Sequence, residues 1–372
     1  MKNKFSQWLT VVVFCAFLGV MCLMIFLLPK KDFSQNEKRY LAEVPALSWS
    51  NVSSGQFGED AESYMADHLA GRDFFVGLNA YFEKLTGRQV SKDIYTAGDR
   101  LVEAPVKWND NQIRKNQLAI EEFAKTIETP VDLMIVPSAG WAIEDQIDGI
   151  HDPYEDERLI FDIYNGFGEG VEPVDVLSAL ALQDLPALYY KTDHHWTSLG
   201  AYTAYAAYME TLGRDYPAKE QFRVDIVSDF KGSTYSRSAL WRIPGEDLEM
   251  WLGTENLLVT NNDTADTHQG VFYRERLEEA DKYTVFLDGN HSLVRIQNPN
   301  AKGKGKILVI RDSYSNCLGA FLAESYETVV LVDLRYYKDA VSELYKAESF
   351  DDVLVCYSLS NYMTDNNLVW LR

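Results

Sequence analysis

Two short segments contain residue types that can act together in nucleophilic chemistry. The first contains Asp193, His194 and His195, and the second contains Asp312 and Ser313 directly after the apolar run KILVIR. A serine hydroxyl needs a base to take its proton, and an imidazole needs a carboxylate on its other nitrogen to hold the useful tautomer. Where the chain is extended, side chains two positions apart project to the same side, so Asp193 and His195 can supply both groups.

The second segment predicts where a reactive hydroxyl would lie. KILVIR at 306–311 is typical of a buried strand and the next dozen residues of a helix, so Ser313 lies at a strand-to-helix turn. In open α/β sheets, ligands bind beyond the carboxyl ends of the strands, where the N-terminus of a helix offers N–H groups to developing negative charge. The alternative, which the local sequence favours, is that Asp312 and Ser313 only cap the helix.

Two other interpretations of the histidine segment remain open. Paired histidines beside an aspartate also suggest a metal site, but no HExxH or two-cysteine spacing supports one, and three adjacent residues rarely ligate one ion. We therefore expect no metal and no cofactor. In a purely structural alternative, Thr197 or Ser198 caps the following helix and both histidines only pack.

A third segment and one neighbour of the serine are candidates for contacting the reacting group. Asn290 can donate an amide N–H to an oxyanion, and Gly289 before it is a candidate for the same contact, although Gly-Asn is more often only a hairpin turn. Tyr314, next to the serine, is a further oxyanion or substrate candidate. The run KGKGK at 302–306 lacks the Gly-Lys-Ser/Thr ending of a phosphate loop, and we interpret it as a solvated turn.

An alternation of strands and helices must position these segments. The patterns predict strands at 131–136, 187–190, 306–310, 328–332 and 352–357, and helices at 59–86, 110–128, 198–212, 314–326 and 338–347. This alternation indicates an α/β fold with a parallel sheet flanked by helices. The stretch from about 213 to 300 breaks the rhythm, with polar turns at 261–267 and strand-like runs at 283–287 and 293–296, and we interpret it as an insertion that shapes a site.

The N-terminal region predicts a membrane anchor. Residues 8–28 form 21 consecutive uncharged, mostly apolar positions, which would rise about 31 Å as a helix, enough to cross the lipid bilayer. A cleavable signal peptide has a shorter apolar stretch and a small-residue cleavage pattern, which is absent before Pro29. We therefore predict an N-terminal tip and transmembrane anchor at 1–31, a juxtamembrane linker and helical segment at 32–90, and a catalytic domain at 91–372. The assignment of the tip to the cytoplasmic side rests on the family resemblance described below. Charge bias alone does not decide the topology.

The composition excludes several classes of protein. Of the 372 residues, 35 are Lys or Arg and 56 are Asp or Glu, and the resulting charge of −21 argues against a nucleic-acid partner. A hydrophobic content of 47% is ample for a core. Four cysteines in a chain of this length exclude a disulfide scaffold, and spacing leaves open whether Cys317 and Cys356 pair.

Four ordered motifs resemble one bacterial family. TDHHWTSLGAY (192–202), YTVFLDGNHSLV (283–294), ILVIRDSYSN (307–316) and the later VVLVDLRYY, together with the membrane-proximal FSQNEKRYLAEVP (33–45), resemble the DHHW protein family. That family is similar in its motifs to alginate O-acetyltransferase proteins of the SGNH-hydrolase-like group. The resemblance implies an SGNH-hydrolase-like fold with Ser313 as nucleophile, His195 as general base and Asp193 as the orienting acid. It also implies that Arg335 occupies a basic position able to contact a carbohydrate.

The same resemblance implies a function and partners. The domain would lie outside the cell on the cell membrane, as a single-pass protein, and would transfer acetyl groups to a cell-surface polysaccharide. With one predicted span in this sequence, a membrane-bound O-acyltransferase would have to supply the acyl group. Two alternatives remain open: a carbohydrate esterase with the same triad, and a non-catalytic polysaccharide-binding or assembly subunit.

Overall fold

The computed structural model describes residues 2–34, 39–86, 93–264 and 267–372. The described residues fall into two compact units. The smaller unit contains those up to 86 together with Tyr235–Arg242, and the larger contains Asp93–Thr234 and Ile243–Arg372. Positions 35–38 and 87–90 of the predicted linker segment, and 265–266 of the predicted polar turn, lie outside the described residues. The three predicted domain ranges stay a prediction.

The smaller unit is mainly helical. Its elements are helix α1 (Lys2–Leu27), the antiparallel pair β1 (Phe33–Ser34) and β2 (Arg39–Tyr40), and helices α2 (Trp49–Ser54), α3 (Gln56–Asp67) and α4 (Arg72–Leu85). The predicted single helix over 59–86 is wrong, because Gly71 adopts φ +68° before α4 begins and breaks it in two. Within α1, Lys4–Leu27 is long and apolar enough to cross a membrane, with a mean hydropathy of 2.8, a test that a signal sequence also passes.

The larger unit contains the remaining strands and helices. The strands are β3 (Ile94–Ala97), β4 (Arg100–Glu103), β5 (Val131–Val136), β6 (Val171–Pro173), β7 (Arg223–Phe230), β8 (Glu246–Leu252), β9 (Leu258–Asn261), β10 (Thr267–Gln269), β11 (Leu293–Gln297), β12 (Lys306–Arg311), β13 (Thr328–Val332) and β14 (Asp352–Ser358). The helices are α5 (Asp110–Ala124), α6 (Ala139–Ala142), α7 (Asp156–Asn165), α8 (Val176–Ala181), α9 (Ser198–Thr211), α11 (Ser315–Ser325), α12 (Val341–Glu348) and α13 (Leu359–Thr364). The chain passes between the two units within α10 (Ser233–Ser238).

An eight-stranded sheet organises the larger unit. Its order is β10-β9-β11-β13-β12-β14-β5-β6, and the five strands from β13 to β6 are mutually parallel. β11, β9 and β10 extend the sheet in antiparallel fashion. Strands β12, β13 and β14 lie side by side and are buried along almost their whole length, as expected for parallel strands covered on both faces. The predicted α/β class is confirmed.

Two predicted strands are wrong, and both lie next to the site. The first half of the segment predicted at 187–190 lies in a 3-10 turn, Leu185–Leu188, which includes Pro186 near its start; proline lacks the N–H that a central strand needs. In the second half, Tyr189 forms only an isolated antiparallel bridge with Trp196. The segment predicted at 283–287 contains a 3-10 turn at Lys282–Val285. It is followed by Leu287 and Asp288 with φ of 55° and 63°, which no strand accommodates.

Candidate active site

The turn between β12 and α11 holds Ser313 at the carboxyl end of a central strand. Asp312 accepts hydrogen bonds from the Tyr314 N–H (3.0 Å), the Ser358 N–H and hydroxyl (2.8 Å each) and the Asn361 amide (2.7 Å). The carboxylate of Asp312 therefore ties the turn to the end of β14. α11 has no side-chain cap, so the predicted alternative in which these residues only cap the helix is wrong.

The Ser313 hydroxyl instead meets the histidine segment. His195 Nε2 lies 2.8 Å from Ser313 Oγ, and His195 Nδ1 lies 2.5 Å from Asp193 Oδ1. Because an ionised carboxylate only accepts, the Nδ1 of a neutral His195 carries its hydrogen and Nε2 accepts from the serine. Asp193, His195 and Ser313 are 1%, 5% and 7% exposed. Three residues singled out in the sequence thus form one hydrogen-bonded chain.

Asp193 is held by a segment that sequence reasoning missed. Its Oδ2 accepts from the N–H (2.6 Å) and the hydroxyl (2.9 Å) of Ser233, at the start of α10. Since that hydroxyl has one hydrogen, it accepts from Nδ1 of His194 at 2.6 Å. Gly232 approaches so closely that a Cβ there would lie 2.2 Å from Asp193 Oδ2. No local signal in the sequence links these positions to Asp193.

Aromatic rings enclose the His195 imidazole. The ring of Tyr283 stacks on it at 3.9 Å with an interplanar angle of 5°, and the ring of His194 lies 3.8 Å away. Burial lowers the pKa of His195, the nearby His194 lowers it further, and Asp193 opposes both. The imidazole is therefore held neutral, which is the form that can accept a proton. Thr197 caps α9, as the purely structural alternative predicts. His195, however, does not only pack, because it also hydrogen-bonds to Asp193 and Ser313.

Asn290 and Gly289 lie in the loop before β11. Asn290 Oδ1 accepts from Nη1 of Arg311 and from Nδ2 of Asn316, both at 3.1 Å. Gly289, at φ +80°, donates its N–H to the Phe286 carbonyl (3.1 Å) and so forms the turn that carries Asn290. Within the described part of the chain, no acceptor takes the backbone N–H of Ser313, which leaves this donor available.

Tyr314 and Arg335 are engaged in other contacts. The Tyr314 hydroxyl donates to the His194 carbonyl, and its ring lies 5.1 Å from that of His195. Arg335 binds both oxygens of Asp333, at 2.9 and 2.6 Å. It also lines a cavity of about 200 Å³ with Asp312. The structure thus places Tyr314 against the histidines and Arg335 behind the serine turn.

Arg311 is a second residue that sequence reasoning missed. It ends β12 with a fully buried guanidinium, and burial lowers its pKa, an effect that Asp333 opposes. A charge at the end of the otherwise apolar run 307–310 was the available signal, because arginine is rarely buried without a partner.

Comparison with known proteins identifies the family. The sequence profile described as DHHW protein matches residues 110–332, more than half of the chain. This chain belongs to the DHHW protein family. No protein with curated annotation matches the sequence.

Solved structures are similar in fold. A DHHW family protein from Eubacterium siraeum has 20% identity and a TM-score of 0.65, over 76% of this chain and 95% of that chain. Bacillus cereus PatB1 with a sulfonyl adduct has 20% identity and a TM-score of 0.63, over 75% and 98%. The O-acetyltransferase domain of Pseudomonas putida AlgJ has 13% identity and a TM-score of 0.44, over 73% of this chain and 92% of that chain. This DHHW protein therefore shares the fold of the first two structures, with the predicted parallel sheet flanked by helices.

A cavity of about 360 Å³ reaches the site of this DHHW protein. His194 and Tyr314, the neighbours of the hydrogen-bonded histidine and serine, form part of its wall. The lining also includes the ring of Trp108, Lys107 and four carboxylates, those of Glu103, Asp152, Glu155 and Asp156. A ligand in this cavity would lie beside the serine turn.

Two other features of the site concern metals and thiols. Potential ligand atoms of Asp193, His194 and His195 lie within 4.8 Å of one another, but they hydrogen-bond to each other, to Ser233 and to Ser313. The absence of a metal stays a prediction. Cys317 and Cys356 are buried, free thiols and do not pair.

Proposed function

We propose that this chain is a membrane-anchored, extracytoplasmic serine O-acyltransferase that acetylates a cell-surface polysaccharide through an acyl-enzyme. One observation carries the proposal: the hydrogen-bonded chain from Asp193 through His195 to Ser313, with links of 2.5 and 2.8 Å. A serine bonded to a carboxylate-backed imidazole is the arrangement that covalent acyl transfer uses.

The first half-reaction forms the acyl-enzyme. Ser313 Oγ attacks the carbonyl carbon of the donor while His195 Nε2 takes the hydroxyl proton. The negative charge on the carbonyl oxygen is stabilised by the free Ser313 N–H and by the side-chain amide of Asn290. The bond to the leaving group then breaks, and the leaving group takes the proton from His195.

The second half-reaction transfers the acyl group to the acceptor. A polysaccharide hydroxyl gives its proton to His195 and attacks the ester carbon. Ser313 Oγ leaves and recovers that proton, so the enzyme returns to its starting state. Throughout both steps Asp193 stabilises the imidazolium that forms and holds its orientation.

The location and partners follow from α1 and from the family resemblance. α1 anchors the chain in the cell membrane with the larger unit outside the cell. A membrane-bound O-acyltransferase delivers the acetyl group, and the cavity beside His194 and Tyr314 receives the polysaccharide. Trp108 in that cavity offers an apolar ring face for a sugar.

Covalent labelling tests this proposal. The full-length protein in detergent is incubated with an activated acetyl ester, or with a sulfonyl fluoride suggested by the adduct in PatB1, and the modified peptide is identified by mass spectrometry. We expect one label on Ser313, none in Ser313→Ala, and normal labelling in Ser315→Ala, a matched change in the same segment.

The outcomes separate the alternatives. Transfer of acetyl from Ser313 to added oligosaccharide supports the transferase, and release to water alone supports the esterase. An unlabelled wild-type protein, together with unchanged surface acetylation in cells carrying Ser313→Ala, would show a non-catalytic subunit and overturn the proposal.

A further inference from the structure

Arg311 is placed directly beneath the serine turn. Its side chain is fully buried, and its Nη1 donates to the Asn316 Oδ1 at 2.6 Å and the Asn290 Oδ1 at 3.1 Å. The same nitrogen lies 3.5 Å from the carbonyl of Asp312 and 3.9 Å from a carboxylate oxygen of Asp333. Among the described residues, Nε and Nη2 of Arg311 have no hydrogen-bond partner. A buried cation with such sparse pairing is costly, so stability alone does not explain it.

The guanidinium decides which way the Asn290 amide faces. Arginine has only N–H donors, so the asparagine group that meets Nη1 must be the carbonyl oxygen. The amide of Asn316 donates to the same Asn290 oxygen at 3.1 Å. Rotating the Asn290 amide by half a turn would set its N–H2 against two donors and lose both hydrogen bonds. The N–H2 of Asn290 therefore faces away from Arg311.

The backbone before Asn290 is held in a strained conformation. Leu287, Asp288 and Gly289 all have positive φ, at 55°, 63° and 80°. Left-handed conformations at non-glycine residues are strained and cluster at functional sites. Arg276 donates to Asp288 at 2.5 Å, a contact that helps to hold this loop in place. The loop thus restrains the backbone of Asn290, and Arg311 restrains its side chain.

We propose that Arg311 is a positioning residue that holds the Asn290 amide with its N–H2 turned to the oxyanion formed at Ser313. The inference rests on the proposed function, because the oxyanion forms only when Ser313 Oγ attacks an acyl carbonyl. Arg311 itself, being fully buried, contacts no substrate and acts through Asn290.

A double-mutant cycle tests this role. The rate constant for acylation of Ser313 by an activated acetyl ester is measured for the wild type, Asn290→Ala, Arg311→Met and the double variant, each corrected for its folded fraction. Loss of one oxyanion donor should slow acylation roughly 10²- to 10³-fold with little change in KM. Arg311→Met should slow it in the same way, and the double variant should be no slower than Asn290→Ala.

Two further variants separate positioning from general stability. Asn290→Asp keeps an acceptor for Arg311 but removes the donor, so it should remain folded and acylate as slowly as Asn290→Ala. Arg311→Lys, which retains a cationic donor, should recover part of the rate. Arg295→Met serves as the control. It removes an arginine of β11 that pairs with Glu348 of α12, and it should leave acylation of the folded protein unchanged.

The outcomes distinguish failure of the proposed acyl transfer from failure of the positioning role of Arg311. If the wild type forms no Ser313 adduct, the proposed function fails and this inference fails with it. If the wild type is acylated but the losses from Asn290→Ala and Arg311→Met multiply in the double variant, only the positioning role is overturned. The same conclusion holds if Arg311→Met lowers the melting temperature without slowing acylation.

Discussion

At the scale of single residues, four donor groups from two residues converge on one carboxylate. The N–H and Nδ1 of His195 and the N–H and hydroxyl of Ser233 all direct hydrogen toward Asp193. Only an ionised carboxylate accepts four such bonds without conflict. The tautomer and orientation of the His195 imidazole therefore depend on the negative charge of Asp193.

Replacing Asp193 by Asn should disable the site while keeping a side chain of similar size at this position. Asn is nearly the same size, but it is neutral and places an N–H2 among groups that donate. We expect acylation of Ser313 to fall by roughly 10³- to 10⁴-fold. The rate is measured with an activated acetyl ester. Asp225→Asn, at an exposed ion pair on β7, is the control, and a loss below tenfold for Asp193→Asn would contradict the expectation.

The pH profile of acylation should reveal the neutral state of His195. Since burial and the adjacent His194 lower the pKa of His195, the base form persists below the ordinary value near 6.5. The rate should therefore rise with pH through a midpoint below 6.5. His194→Gln removes one of the groups that lower this pKa, so the midpoint should move to higher pH. A midpoint that stays in place or moves down in His194→Gln would contradict this explanation.

At the scale of elements, the segment leading into α10 supports the loop that carries the histidines. Gly232 contacts the Asp193 side chain so closely that an added methyl would lie 2.2 to 2.6 Å from three of its atoms. The loop therefore tolerates no side chain at position 232 while Asp193 stays in place.

Gly232→Ala should displace Asp193 and reduce acylation by at least tenfold. The clash is with the carboxylate that orients His195, so the rate should fall more than the melting temperature suggests. Both are measured on the same preparation. Gly168→Ala provides the matched control, because nothing lies within 4 Å of its Cβ position. Equal, small effects of the two substitutions would show that Asp193 can move without consequence.

The central strands were predictable because of where they lie. A parallel strand covered on both faces must be apolar throughout, so short apolar runs identified β5, β12, β13 and β14. The same pattern failed at 187–190, because a buried turn containing Pro186 needs apolar residues just as a strand does.

The candidate site was predictable only in part. Ser313, His195 and Asp193 stand at recognisable junctions or in a recognisable motif. The roles of Ser233 and Arg311 were not predicted, because their partners Asp193 and Asn290 lie 40 and 21 positions away in the chain. Contacts of that range arise from tertiary packing, which local patterns do not contain.

At the scale of the whole molecule, one buried acid should make stability depend on pH. Asp132 on β5 accepts a hydrogen bond from Tyr208 of α9 at 2.8 Å, and burial raises its pKa to about 6. Between an unfolded value near 4 and this folded value, the native state holds a proton that the unfolded state releases. This contribution to stability is therefore present at low pH and is lost as pH rises through about 6.

Asp132→Asn should remove that dependence. The wild type should lose up to about 3 kcal/mol of this contribution between pH 4 and pH 7, and the variant should not. Chemical denaturation at both pH values measures the difference between the two proteins. Asp162→Asn, on the exposed face of α7, should leave the pH dependence as in the wild type. Parallel curves for wild type and Asp132→Asn would contradict the raised pKa.

The contact between His195 and Ser313 joins positions 118 apart in the chain. A molecule that has lost its tertiary structure keeps the serine but not the imidazole beside it, and an unassisted hydroxyl is a weak nucleophile. Covalent titration of Ser313 through a denaturation series should thus count native molecules directly, at a single atom and without any optical signal.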